Sequence, residues 1–356
     1  MKNCLKGYNQ FVCVGPYFFD QERDKRINKF HTSIDRGECF SKLLEQFELN
    51  HDKKWTAQIL CFSFIDTKSF YSSKKSHLKS ENEFEQYLKS AKHGDWLCQY
   101  YVGLCYYYGK EVKQDYLKAV DWLRKAAEQG SILSQCQLGI CYYMGHGVKQ
   151  DYEKAFEWFR KSVKYGNHSE GEWRIGNCYY YGNGVKQDFT KAVEWYTKAA
   201  EKNFAQAQYS IGLCYLNGKG VAKNLRKATE WIEKSAEQGH KDGQLKLGCF
   251  YYSGEGVKQD FTKAAEWFKK SAEQGHALSQ CLLGCCYYYG NGIKRDYSKA
   301  AEWFKKSAEQ GHVGAQKYLG ECFMYGRGVE RNLQKAAEWY AMEADKKIDL
   351  LNLEPL

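Results

Sequence analysis

The stretch "KAAEWFKKSAEQGH" occupies Lys263–His276 and returns unchanged at Lys299–His312, 36 residues later. A fixed period of that size marks stacked supersecondary units rather than one compact fold. The same step runs through most of the chain. Tryptophans stand at Trp122, Trp158, Trp195, Trp231, Trp267, Trp303 and Trp339, and glycines at Gly103, Gly139, Gly176, Gly212, Gly248, Gly284 and Gly320. Each step is 36 residues except one of 37, which comes from an extra residue around Gly166–Ser169. Seven units therefore run from about Asp95 to Asp345.

The sixth unit shows how one repeat is built. "HALSQCLLGCCYYYG" (His276–Gly290) has the length and pattern of a helix, "NGIKR" turns, and "DYSKAAEWFKKSAEQG" (Asp296–Gly311) forms a second helix. A G-x-G turn recurs in six units, and the first unit has "GKE" instead. Glycine permits the positive φ that a tight helix-to-helix connection needs. The second helices begin after Asp115, Asp151, Asp188, Asn224, Asp260, Asp296 and Asn332, all residue types whose side-chain oxygen caps a helix start. They end near Gly130, Gly166, Gly239, Gly275 and Gly311. Within the second helix, Tyr297, Ala300, Trp303, Phe304 and Ser307 share one side at helical spacing. Trp303 is expected to fill the groove between helices, with Ala300 and Gly284 letting the backbones approach.

Composition agrees with an ordered chain. Aromatic residues make up 16% of the 356 residues, there are two prolines, and no apolar run approaches the roughly 18 residues of a membrane span. The segment "FVCVGPYFF" near the start is short, broken by Gly15 and Pro16, and followed by charges, which makes it a poor signal peptide. The net charge of +10 is uneven. Residues 1–80 carry 14 Lys and Arg against 9 Asp and Glu, whereas the repeats mix Lys and Glu as a solvated helix surface does.

Fifteen cysteines would suggest a disulfide framework if they paired at repeated offsets. Instead Cys105, Cys141, Cys178, Cys214, Cys286 and Cys322 occupy one position of the unit, which Phe250 fills in the fifth. A site that takes Cys or Phe is a buried apolar slot. Reduced thiols and a reducing, cytoplasmic compartment are expected.

The combined pattern, shown by "AQKYLGECFMYGRGVERNLQKAAEWYAMEAD" in the last unit, closely resembles Sel1-like repeats, relatives of the tetratricopeptide repeat. The resemblance covers about 250 residues. It implies an all-α, right-handed α-solenoid, a superhelix of antiparallel helix pairs whose first helices line a concave surface. It also implies an adaptor or scaffold for other proteins, in quality control, signalling, or engagement of host factors by microbes. One secreted, cysteine-rich branch of that family has bridged helices and a link to β-lactam binding. This chain departs from it, having Ala127, Val163, Ala200, Ala236, Ala272, Ala308 and Ala344 where the first bridging cysteine would stand.

Function should lie where the units disagree. Counting each unit's Gly as zero, positions −6, −2, +1 and +5 vary widely, and at 100° per residue they fall within roughly 60° on the first helix. This stripe should face solvent and, by the resemblance, the concave side. The expected partner-binding residues are Tyr101, Tyr108, Gln137, Met144, Arg174, Tyr181, Ser210, Asn217, Lys246, Ser253, Leu282, Tyr289, Tyr318 and Tyr325. The aromatic, Met and Arg members are the candidate anchors, since such side chains supply much of the energy at protein interfaces. Drift on an unused surface, or cover by flanking segments, would leave the same pattern.

The ends are less regular. "FEQYLKSAKHGD" (Phe84–Asp95) aligns with "AEWFKKSAEQGH" and reads as the second helix of a decayed unit, so residues 35–94 are expected to form a helical cap. Residues 1–34 carry no readable pattern. "IDLLNLEPL", within a tail at 346–356, is expected to fold back over the last unit. No H-E-x-x-H, C-x-x-C or G-x-x-x-x-G-K-[ST] occurs, and His240, His276 and His312 repeat without a second ligand at fixed spacing. Neither catalysis, a cofactor, a metal nor a small-molecule substrate is expected. The leading reading is a scaffold for a protein or peptide. The alternative is an RNA or anionic-surface binder using the basic first 80 residues.

Overall fold

The computed structural model describes residues 83–164 and 168–352. They belong to the second of two compact units, Asn82–Leu356. These residues form fifteen helices and no strand. Helix α1 (Glu83–Lys92) precedes seven pairs. The first helices of the pairs are α2 (Trp96–Tyr108), α4 (Ile132–Met144), α6 (Ser169–Tyr181), α8 (Ala205–Asn217), α10 (Lys241–Ser253), α12 (Ala277–Tyr289) and α14 (Val313–Tyr325). The second helices are α3 (Tyr116–Glu128), α5 (Tyr152–Ser162), α7 (Phe189–Glu201), α9 (Leu225–Glu237), α11 (Phe261–Glu273), α13 (Tyr297–Glu309) and α15 (Leu333–Asn352). Each helix packs on the one before and the one after it, as in an α-solenoid. The joint between α5 and α6, where the extra residue falls, is the least closely packed between units.

Local sequence sets the helix ends. All seven second helices start as expected: the side chain of Asp115, Asp151, Asp188, Asn224, Asp260, Asp296 or Asn332 accepts the amide three residues on, at 2.9–3.0 Å. In the sixth unit's turn, Gly290 closes α12 at φ 80° and Gly292 follows at φ 73°. Gly292 is doubly constrained, because a Cβ there would overlap the carbonyl of Phe261 in the preceding unit. In the first unit Glu111 takes the same conformation, at φ 62°.

The core repeats with the units. One cluster joins Tyr100, Val120, Leu123, Leu138 and Cys141, so it mixes the second helix of one unit with the first helix of the next. The cysteine slot is buried throughout, from Cys105 to Cys322, and Phe250 fills it equally well. The tryptophan expectation needs correction. The side chain wedged against the unit glycine is the residue after each Trp: Leu123, Phe159, Tyr196, Ile232, Phe268, Phe304 or Tyr340. The Trp itself is half-buried and packs across the joint onto the preceding unit's cluster, as Trp158 and Trp339 do. In the first six units its outer face carries a lysine from the next turn, from 3.7 Å for Lys270 on Trp267 to 4.4 Å for Lys234 on Trp231. Such cation–π contacts contribute about 0.5–1 kcal/mol each at exposed sites. The reason for the shift is angular: a residue one step on turns by about 100°, enough to move from the joint into the pair.

At the N-terminal side, α1 is the helix read from Phe84–Asp95. The rest of the expected cap, residues 1–34 with their signal-like segment, and the helix end at Gly166 lie outside the described residues. At the other end α15 runs on through Ile348–Asn352 as one 20-residue helix, with no turn back before Asn352.

Candidate functional site

The seven first helices bring the variable stripe into seven parallel rows of four. The +5 position is the most exposed of the four. Tyr108, Met144, Tyr181, Asn217, Ser253, Tyr289 and Tyr325 all project to solvent, with Tyr181 62% and Tyr325 61% exposed. Several sit edge-on against the tyrosine before them, which limits their rotamers: Tyr108 on Tyr107 at 4.9 Å, Tyr181 on Tyr180 at 4.9 Å and Tyr289 on Tyr288 at 5.0 Å.

The −2 residues lie deeper than a fully exposed stripe would place them, and each touches a neighbouring side chain or helix. Gln137 is buried. Tyr101 packs on Tyr87 of α1, ring centroids 5.6 Å apart, so part of this end is covered by a flanking segment. Ser210 accepts the Trp173 indole N–H at 2.9 Å and donates to the Gln206 carbonyl. Tyr318 stacks on Phe304 at 4.9 Å, Leu282 packs on the neighbouring core cluster, and Lys246 lies over Phe250. Arg174 donates to Glu170 at 3.0 Å and stacks on Trp173 at 4.8 Å. Of the fourteen expected residues, then, the seven at +5 form one exposed row and the seven at −2 form its half-buried floor.

Two sets of contacts, one between units and one within them, were not read from the repeat pattern. In four of the six G-x-G turns the middle residue hydrogen-bonds back to the tyrosine four positions past the previous unit's Gly. Asn183 Nδ2 donates to Tyr143 Oη at 2.6 Å, Asn291 Nδ2 to Tyr252 Oη at 3.2 Å, Tyr107 Oη pairs with His146 Nδ1 at 2.9 Å, and Arg327 donates to Tyr288 Oη. A second ladder joins glutamines 30 residues apart: Gln274 to Gln244 at 2.8 Å and Gln310 to Gln280 at 2.7 Å. In the third unit the buried Glu172 and the exposed Lys202 take that place as an ion pair of 2.7 Å. Both signals were present in the sequence as positions that change together, 39 or 40 residues apart for the turn contact and 30 apart for the ladder.

The repeated histidines have a structural cause. His240, His276 and His312 cap α10, α12 and α14 through Nδ1, accepting the Gly243, Ser279 and Ala315 amides at 3.1–3.3 Å. Burial pushes the slot thiols Cys141, Cys178 and Cys322 up to about 12, which removes them as nucleophiles. Cys285 is different: the Cys281 thiol hydrogen-bonds to it and holds it below the ordinary thiol range. The eleven described cysteines are free thiols. No helix among the described residues is long and apolar enough to cross a membrane.

This architecture has known counterparts. The Sel1 repeat model matches seven times, at residues 96–131, 132–167, 169–204, 205–240, 241–276, 277–312 and 313–346. The solved structure of c5321, a protective antigen of uropathogenic Escherichia coli with an SLR fold, is 37% identical at a TM-score of 0.64. That match covers 74% of this chain and 56% of the other, so the chain spans little more than half the length of that relative. A Sel1 repeat protein from Oxalobacter formigenes is 31% identical at a TM-score of 0.58, covering 69% of this chain and 96% of the other. No curated protein matches the chain. The seven matched units, with their capped helix pairs and glycine-aromatic joints, make the chain a member of the Sel1 repeat family.

Proposed function

We propose that this protein is a scaffold that holds a partner protein or peptide along the first helices of its solenoid. Sel1 repeat proteins generally mediate protein–protein interactions. The observation that carries the reading here is the exposed +5 row, in which four tyrosines and a methionine stand on the first three and last two units over a half-buried floor. Tyrosines limited by an adjacent ring lose little entropy on binding and offer both an apolar face and a hydroxyl, the profile of interface anchors. The middle of the row, Asn217 and Ser253, is polar and small, so the two ends supply the anchors.

The test compares proteins captured by the full chain and by a Tyr181→Ala, Tyr289→Ala, Tyr325→Ala variant with an unchanged melting curve. A protein retained by the first and lost by the second supports the row as the binding face. Equal capture by both rejects it. Capture that vanishes with added salt and with deletion of residues 1–80 favours the basic segment as an anionic-surface binder instead.

A further inference from the structure

The joint between the second and third units holds a chemistry that the other joints lack. Cys136 lies in α4, three residues before Gly139, while His168 caps α6 and Glu170 stands in its first turn. Their ligand atoms, one from each side chain, all lie within 4.8 Å of one another. Cys136 and His168 are buried and Glu170 is half-exposed. Among the described residues this is the one group of three such side chains that converges. We propose that Cys136, His168 and Glu170 bind one divalent ion of the zinc class, with a solvent molecule completing its coordination.

The repeat shows how specific the arrangement is. At the corresponding places the fourth and fifth units bring together Tyr209, His240 and Asp242, and the sixth and seventh bring Cys281, His312 and Gly314. Each lacks one donor. The set is complete only at the joint of α5 with α6, the least closely packed between units. The first turns of α6 also hold more polar groups than their neighbours satisfy. Among the described residues three buried side-chain polar atoms have no hydrogen-bond partner, and two of them are Glu172 Oε2 and Arg174 Nε. Orphaned buried polar atoms are rare in native proteins, so two in one helix call for a reason.

The donor chemistry selects the ion. One sulfur, one imidazole nitrogen and one carboxylate oxygen form a mixed set suited to zinc, whereas magnesium and calcium take oxygen ligands. Zinc–ligand bonds of about 2.0–2.3 Å place ligand atoms roughly 3.5 Å apart in a tetrahedron, so closure asks for side-chain shifts on the order of an ångström. Arg174, 3.0 Å from Glu170 Oε1, holds the carboxylate in place. On binding, the Cys136 thiol gives its proton to solvent, and thiolate and carboxylate together balance the dication. The ion ties α4 to α6 across the loosest joint of the stack.

The experiment adds cobalt(II) to the reduced, metal-free full chain and follows the thiolate-to-cobalt charge-transfer band in the near ultraviolet, with zinc as competitor. The expected result is one cobalt per chain, displaced by zinc and not by magnesium. Cys136→Ala and His168→Asn should each weaken binding at least about tenfold, the asparagine preserving the cap on the Gly171 amide. Zinc should raise the melting temperature of the wild type and not of Cys136→Ala. An absent band, or one kept at wild-type affinity by both variants through other thiols, overturns the site. Glu170→Gln, on a half-exposed side chain, decides the matter if a buried variant fails to fold: wild-type affinity there overturns the assignment.

Discussion

The ring of Phe304 lies against the backbone of Gly284, so close that a Cβ on residue 284 would sit 2.6 Å from two of its carbons. Phe304 is fully buried and also stacks on Tyr318 of the next unit, so it has no room to withdraw. Gly284→Ala should therefore destabilise the solenoid by about 1–3 kcal/mol through overpacking, although alanine is the better helix former. Urea unfolding monitored by circular dichroism reads this directly. A variant as stable as the wild type would show that the joint yields.

The Glu172–Lys202 pair makes a second prediction. Glu172 is almost fully buried, and its partner sits where other units place a glutamine. Lys202→Gln should cost about 3 kcal/mol, since it strands a buried carboxylate. Glu172→Gln with Lys202→Gln should recover most of the loss by restoring the glutamine ladder. A double-mutant cycle on melting temperature measures the coupling.

The G-x-G contact is missing at one joint, where Leu216 and Glu255 occupy the places held elsewhere by a tyrosine and its partner. Leu216→Tyr combined with Glu255→Asn should rebuild the bond seen between Tyr143 and Asn183 and stabilise the protein by about 1 kcal/mol. Either change alone should not.

Acid should unfold the chain in two stages. Burial, aided by the nearby His276, holds His312 below its ordinary range. Only its neutral form can accept the Ala315 amide through Nδ1. Its contribution is complete above about pH 6.5, the ordinary histidine value, and is lost as pH falls through the lowered folded value. The cap aspartates Asp115, Asp151, Asp188 and Asp296 lie below the usual carboxylate range because each accepts a backbone amide, that of Lys118, Lys154, Lys191 or Lys299. Their contribution is present above about pH 4 and is lost as pH falls through their folded values. Melting temperature against pH should show both steps, and Asp296→Asn should blunt only the second.

Much of the architecture was legible in the sequence because its causes are local. Helix caps, the Gly-x-Gly turns and the 36-residue step depend on neighbours within a few positions, and seven copies let the chain be compared with itself. The cysteine slot could be read as buried because cysteine and phenylalanine alternate in it. Which side chain enters the core was not legible in the same way. Trp303 and Phe304 are adjacent and both apolar, and only the packing of α12 on α13 shows that the phenylalanine meets Gly284 while the tryptophan caps the joint. The depth of Gln137 and the cover that Tyr87 of α1 gives Tyr101 likewise depend on how the helices pack together.

The sequence by itself determined the repeat, the helix ends, and the seven +5 residues that form the exposed row. The tertiary structure alone decided which groups from different helices meet: Asn183 with Tyr143, Lys202 with Glu172, and Cys136 with His168 and Glu170. The physical reason is the separation along the chain. Contacts 30 to 40 residues apart depend on the rotation and spacing between stacked helices, which no local preference encodes.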